Sequence, residues 1–457
     1  MFLDIMKKGE LITLNEIKET MDKKKIFWGF IGIVLLIGLA ICFAIALMNH
    51  KADSSSSNKT SNSSNTTSSS KTTTVSSNTI TSGGTYKITG ENTCIVINTD
   101  EDVELDLEDA TITCDNGPAI NIEAGDVNIV LNGDNTITSN TIEDLDGAIY
   151  AKDDLTISGS GSIKITSNYD GIVSKDALVI NGGSYNIKAS DDGIRGKDSV
   201  SITDGTFNIT AGGDGIKATN DEESDKGYIN ITGGTFNINS VNDGIQAVTN
   251  LYIKDGNFTI KTTGNTSNDS AKGLKADTLI TIDGGTFDIN TTDDGIHSNG
   301  NIVINNGDYT INSKDDAIHA DGMLEINDGT FSITAAEGME ATYVKINDGD
   351  INISASDDGI NAGRKSNVYA VKIEINGGNI TVKMGQGDTD GIDSNGDIII
   401  NGGTINVTGQ STFDYDGTGT INGGTVICNG QEVTTLPNQM MGGGQGGQGG
   451  NMMPGRR

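Results

Sequence analysis

A single glycine returns along this chain at nearly constant intervals. It stands just before Thr or its substitute in segments such as Gly233-Gly234-Thr235-Phe236, at positions 161, 183, 205, 234, 256, 285, 307, 329, 349, 378, 403 and 424. The steps are 22, 22, 29, 22, 29, 22, 22, 20, 29, 25 and 21 residues. A second motif, Asp-Gly-Ile, interleaves with the first, as in Asp192-Gly193-Ile194 and Asp294-Gly295-Ile296. A unit this short cannot bury an apolar face alone, so many copies must stack on one another. The 29-residue steps carry seven extra residues, as loops added at a corner would.

Apolar residues hold fixed offsets from the repeating glycine. Two after it come Tyr185, Phe207, Phe236, Phe258, Phe287, Tyr309 and Phe331; four after it come Ile187, Ile209, Ile238, Ile260, Ile289 and Ile311. Three before it come Ile180, Ile202, Ile231, Ile253, Ile282 and Ile304, and eleven after it Ile172, Ile194, Ile216, Ile245, Leu274, Ile296 and Ile318. Spacing of two is strand alternation, not a helical stripe. The pattern predicts an all-β fold: a right-handed, single-stranded parallel β-helix over residues 80–430, with three strands and about 22 residues per turn. About 13 turns at ~4.8 Å each would make it roughly 60 Å long. Composition agrees, with 62 Gly, 3 Pro and 1 Trp in 457 residues, which suits short strands and tight corners. A calcium-binding β-roll would repeat every nine residues with GGxGxD, which is absent, and a propeller or sandwich needs antiparallel hairpins.

The N-terminal part reads differently. Lys23, Lys24 and Lys25 precede an unbroken apolar run over 26–48, long enough to cross a bilayer as one transmembrane helix. The lysines would keep residues 1–25 in the cytoplasm and leave the bulk of the chain outside. A cleaved signal peptide is the alternative, since Ala44-Ile45-Ala46 resembles a cleavage site. Met21 could also be the true start. Residues 49–79, rich in Ser, Thr and Asn, read as a linker, and 431–457, rich in Gly, Gln and Met, as a flexible tail. The net charge of -32 makes nucleic acid an unsuitable partner. The four cysteines include no CxxC pair; Cys94 and Cys114 lie one repeat apart, as two buried thiols or as a disulfide.

Two columns could carry chemistry. An acid precedes the glycine of the second motif in nearly every turn: Asp170, Asp192, Asp214, Asp243, Asp294, Asp316, Glu337, Asp358, Asp390 and Asp416. Turn chemistry explains an Asp-Gly pair, but Asn would serve that need as well. Carboxylates stacked about 5 Å apart repel by about 1 kcal/mol per neighbour in water, and by more where water is excluded. Calcium, which takes six to eight oxygens, is therefore the expected cofactor. The densest acid group is Glu337, Glu340, Asp357, Asp358, Asn361, Asp390 and Asp393, followed by Asp293 and Asp294 over Asp315 and Asp316. One residue beyond the interior Ile stand Arg195, Lys217, Lys275, His297 and His319, an unusual run of cations in so acidic a chain. That strip could receive a polyanion, or it could only neutralise the acid file.

The strings Asp315-Asp316-Ala317-Ile318-His319-Ala320-Asp321 and Gly213-Asp214-Gly215-Ile216-Lys217-Ala218-Thr219-Asn220-Asp221, with Gly117-Pro118-Ala119-Ile120 and Lys152-Asp153-Asp154-Leu155-Thr156-Ile157, carry a resemblance. Together they resemble the clostridial carbohydrate-binding β-helix family, whose solenoids look like pectate lyases. The resemblance spans roughly 79–430 and extends to the tail. It implies a cell-surface protein that recognises cellulose and acidic pectic sugars of plant cell walls, with calcium at acidic turn residues and no enzymatic activity. Two other readings stay open. A polyuronate lyase would need calcium and a Lys or Arg base, for which Arg195, Lys217 and Lys275 are the candidates; a stalk or adhesin would need only the rigid solenoid. The anchor itself is open to test. Protease added to intact cells should cut within 49–79 and leave 26–48 in the membrane, whereas free module in the medium with a new terminus near Leu47 would favour the signal peptide.

Overall fold

The computed structural model describes residues 73–74, 78–140, 145–264, 270–386 and 389–438. The expected cytoplasmic segment, membrane segment, most of the linker and the tail beyond 438 lie outside the described residues. Among the described residues no helix is long and apolar enough to cross a membrane. They are all β: short strands joined in one continuous sheet.

Why these strands form, and why they pair as they do, follows from the repeat. Each strand is a short β-branched or aromatic alternation, and each bonds in parallel to the equivalent strand one repeat earlier and one repeat later. In the first file Ile180 sits beside Ile202, then Ile231, Ile253 and Ile282. In the second, Phe207 sits beside Phe236, Phe258 and Phe287. In the third, Ile194 sits beside Ile216, Ile245, Leu274 and Ile296. The side-chain period of two therefore puts the same residue type at the same interior place in successive repeats. The apolar residues named at fixed offsets above are buried throughout.

The seven aromatic rings from Tyr185 to Phe331 form one interior stack. Centroids are 4.7 Å apart from Tyr185 to Phe207, and Phe236 and Phe258 lie 4.7 Å apart with planes only 1° from parallel. The 4.6 Å step from Tyr309 to Phe331 ends it. Ring spacing here equals strand spacing, so the backbone ladder imposes the stacked geometry. The glycine before each ring is required by two constraints. Gly256 has φ 145°, and a Cβ there would lie 2.9 Å from the Phe258 ring. The glycine of the second motif is needed for space alone: at Gly244 a Cβ would meet the Gly273 carbonyl oxygen at 2.5 Å.

The insertions fall at corners. Two of them join Ile216–Ala218 to Tyr228–Ile231 and Asp358–Ala362 to Lys372–Ile375. A further ladder runs outside the interior: Asn327 donates to Asn305 Oδ1 at 2.8 Å, Asn347 to Asn327 at 2.8 Å and Asn376 to Asn347 at 2.9 Å. Each amide satisfies the one in the neighbouring repeat, which fixes register at that corner.

Two features sharpen the expectations. The boundary at 430 falls short, because Gln431–Val433 folds back antiparallel on Thr425–Cys428 and Leu436 is buried. That strand covers the edge of Thr425–Cys428, which would otherwise offer unpaired N–H and C=O groups. Besides one isolated bridge, Gly117 to Asn140, it makes the antiparallel pairing of the described residues. Cys94 and Cys114 are joined in a disulfide, while Cys428 is a buried free thiol. Removing a ring from the middle of the stack leaves a void that rigid neighbours cannot fill. Phe258→Ala should therefore cost about 3–5 kcal/mol, read as a lowered denaturant midpoint, while the far-UV spectrum keeps its β signature.

Candidate functional site

The acid file lies at the corner where the second motif leads into the third strand file. Its carboxylates are not loose surface charges. Asp170, Asp192, Asp214, Asp243, Asp294 and Asp316 are all buried. Five of the six, all but Asp316, use one oxygen on the backbone of the next repeat. Asp170 Oδ1 accepts the Asp192 N–H at 2.9 Å, Asp192 Oδ1 accepts the Asp214 N–H at 2.8 Å, and Asp214 Oδ1 accepts the Asp243 N–H at 2.8 Å. The ladder continues from Asp294 to the Asp316 N–H at 3.2 Å and from Asp358 to the Asp390 N–H at 3.2 Å. So the file closes the backbone hydrogen bonds that the corner leaves open.

The second oxygen faces the cation column, which stands in strict register: Arg195 beside Lys217, Lys217 beside Gln246, Lys275 beside His297, and His297 beside His319. Arg195 Nη2 lies 2.6 Å from Asp170 Oδ2 and also pairs with Asp146. Lys217 Nζ is 2.6 Å from Asp214 Oδ2, and Lys275 Nζ is 3.3 Å from Asp243 Oδ2. His297 Nδ1 is 2.7 Å from Asp294 Oδ2, and His319 Nδ1 is 2.6 Å from Asp316 Oδ2. These side chains are mostly covered, between 12 and 27% exposed. Burial, reinforced by neighbouring carboxylates, still pushes Asp170, Asp192 and Asp214 up to about 6, with Arg195 and Lys217 pulling the other way. For Asp294 the balance reverses: burial raises it, but the His297 hydrogen bond and Lys272 hold it down at about 2.

Lys272 takes the place in the file where an acid is missing. Its backbone N–H donates to Asp243 Oδ1 at 2.8 Å, and its Nζ reaches Asp293 Oδ2 at 2.7 Å and Asp294 Oδ2 at 3.1 Å. Lys365, from the third insertion, pairs with Glu340 at 2.9 Å. Nothing in the repeat marks Lys365, because an insertion has no column; Asp146 escaped notice because it precedes the regular part.

Beyond His319 the column itself holds no further cation. The column continues as Glu340, Asn361, Asp393 and Asp414, and Asp358 sits beside Asp390. Asp416 does not belong to the file, since the register puts Ser411 opposite Asp390; the last repeat has one residue spacing that differs from the others. No described Lys, Arg or His pairs with Asp358, Asp390, Asp393 or Asp414. Asn361 does bridge Glu337 at 3.1 Å and Glu340 at 3.2 Å through its amide nitrogen. Its Oδ1 and the Oδ1 of Asp390 are buried acceptors without a partner. Burial, reinforced by neighbouring carboxylates, raises Glu337 to about 8, Asp393 to about 7 and Asp358 to about 6. Asp357 is exposed at the rim.

The tightest groups of potential ligand atoms lie elsewhere. Among the described residues, three such atoms fall within 4.8 Å of one another in Asp293, Asp294 and Asp315, in Asp170, Asp191 and Asp192, and in two sets that contain histidine. What sets the C-terminal acids apart is their lack of counter-charge rather than their crowding. Their raised pKa values mean that the folded state holds protons more tightly than the unfolded chain. Stability of the calcium-free protein should therefore fall as pH rises from about 4 to about 8. An ion that takes the place of those protons should flatten this slope. Calcium at 100 times its dissociation constant would add about 2.7 kcal/mol, and thermal melts at pH 5 and pH 8, with calcium or with chelator, check both effects.

Residues 71–317 and 301–432 match the family described as carbohydrate-binding domain-containing protein. The comparison with curated protein sequences gives no match. A solved structure, that of the polysaccharide lyase-like protein from C. thermocellum in a gadolinium derivative, is 32% identical, with a TM-score of 0.41, over 45% of this chain and 86% of that one. Because the family match runs through nearly all the described repeats, this chain belongs to the carbohydrate-binding domain-containing protein family.

Proposed function

We propose that this protein binds acidic polysaccharide through calcium ions held on the acid file, on a right-handed parallel β-helix displayed outside the cell by the segment 26–48. Family membership supports the carbohydrate partner. The parallel pairing of strands one repeat apart, throughout except at the C-terminal strand, supports the solenoid, and crossovers between parallel strands are right-handed in nearly all proteins.

The observation that carries the calcium reading is the uncompensated group at Asp358, Asn361, Asp390 and Asp393. Buried oxygens without a donor, beside carboxylates without a cation, have the chemistry that a hard divalent ion completes. Calcium seldom exhausts its coordination on protein oxygens. A uronate carboxylate could fill the remaining positions and so bridge sugar to protein. Glu337, Glu340 and Asp357 border this group. Arg195, Lys217, Lys275, His297 and His319 extend the same column, so a polyanion would follow it with partly covered cations as secondary contacts.

A binding role fits the charges better than a lyase does. A catalytic base must lose its proton near neutral pH. Burial would favour that at Arg195 and Lys217, but the carboxylates of Asp170 and Asp146, and of Asp214 and Asp192, outweigh it and raise both pKa values. Both side chains are thereby held as cations.

Affinity for polygalacturonate should fall on the order of 5- to 150-fold when calcium is chelated, and Asp390→Asn with Asp393→Asn should remove the calcium effect. Equal affinity with calcium and with chelator would refute calcium-mediated binding. Unsaturated, ultraviolet-absorbing products released from polygalacturonate would show a lyase instead.

A further inference from the structure

His297 and His319 are adjacent in register, with ring centroids 4.8 Å apart. Their hydrogen-bond partners fix which nitrogen carries the proton. Asn299 Nδ2 donates to Asp277 Oδ1 at 2.9 Å, which turns Asn299 Oδ1 toward His297 Nε2 at 2.9 Å. An amide oxygen only accepts, so His297 Nε2 bears hydrogen. His319 Nε2 faces the Asp321 carboxylate at 3.3 Å and bears hydrogen for the same reason.

The other ring nitrogens face acceptors alone. His297 Nδ1 meets Asp294 Oδ2 at 2.7 Å, and His319 Nδ1 meets Asp316 Oδ2 at 2.6 Å and Glu340 Oε2 at 3.1 Å. Contacts this short between lone pairs need a cation between them, either a proton on each ring or a metal ion shared by the cluster. The surroundings favour a divalent charge: Asp293, Asp294, Asp315, Asp316 and Glu340 are opposed by the ammonium groups of Lys272 and Lys365.

We propose that His297 Nδ1 and His319 Nδ1, with the carboxylates of Asp294, Asp316 and Glu340, form a site for a first-row transition metal ion of the zinc type, separate in chemistry from the proposed calcium site. Two imidazoles select zinc or cobalt over calcium, which prefers an all-oxygen shell. Rings that donate through Nε2 to Asn299 and Asp321 have the outer support that metal-binding histidines commonly use to fix orientation. Asp294 is oriented as well, since its Oδ1 is held by the Asp316 N–H at 3.2 Å. The ligand atoms of Asp294, His297 and His319, and those of Asp316, His319 and Glu340, each lie within 4.8 Å. Small side-chain rotations would bring them to the ~2.0–2.2 Å that zinc requires. On binding, the ion replaces any proton held on Nδ1, and that proton goes to solvent.

The test uses the full chain, with cobalt(II) as an optical probe and zinc as competitor. One cobalt ion per chain should give visible bands typical of mixed nitrogen and oxygen ligation. Zinc should displace it, and a hundred-fold excess of calcium should not. His297→Gln with His319→Gln should weaken zinc binding by roughly ten-fold or more, while Asp390→Asn with Asp393→Asn should leave it unchanged. A second readout needs no variant. Zinc should protect His297 and His319 in the wild-type chain from carbethoxylation, and calcium should not. Cobalt that calcium displaces, zinc affinity unchanged in the double variant, or histidines modified equally with and without zinc would each overturn the proposal.

Discussion

The whole structure depends on hydrogen bonds between parallel strands that keep the same register from one repeat to the next. Once Ile194 lies beside Ile216 and Phe236 beside Phe258, every position of the repeat becomes a column about one strand spacing apart. Columns amplify whatever residue they hold. An apolar column becomes a continuous core and an amide column a chain of mutual hydrogen bonds. An acid column becomes a line of repulsion that something must relieve.

The protein relieves that repulsion in two ways. One oxygen of most of these acids accepts a backbone N–H from the following repeat, so the charge is partly spent on closing the corner. The other meets a cation from the neighbouring column, as Lys217 does for Asp214 and His319 for Asp316. The cations do not reach the far end, where Asp393 and Asp414 stand in the column that held Arg195 and Lys217, although Asp358 still accepts the Asp390 N–H. That contrast within one column is the ground for proposing an ion brought from outside at the C-terminal acids. A carbohydrate-binding chain with fixed, repeated charge on one face suits a ligand that is itself a repeating polymer.

Much of this was legible because a period is visible in one dimension. The glycine intervals place Phe258 over Phe236 and His319 over His297 without any structure. The residues lost to that reading break the period: Lys365 comes from an insertion, Asp146 lies ahead of the regular repeats, and Asp416 slips out of register in the last one. Partnership was harder to read than position. The repeat spacing put Arg195 next to the acid file, but whether its guanidinium faced solvent or Asp170 depended on side-chain direction, which spacing does not encode. The double use of each carboxylate, one oxygen for the backbone and one for a cation, was hidden for the same reason.

Calcium and sugar, if they share one site, must help each other by the same factor, because linkage between two ligands is reciprocal. Titration calorimetry of calcium into the chain, alone and with saturating oligogalacturonate, tests this directly. Calcium affinity is expected to rise in the presence of the sugar by the same factor by which calcium raises the sugar's affinity. Calcium affinity that stays the same with and without the sugar would contradict a calcium bridge between this protein and its polysaccharide.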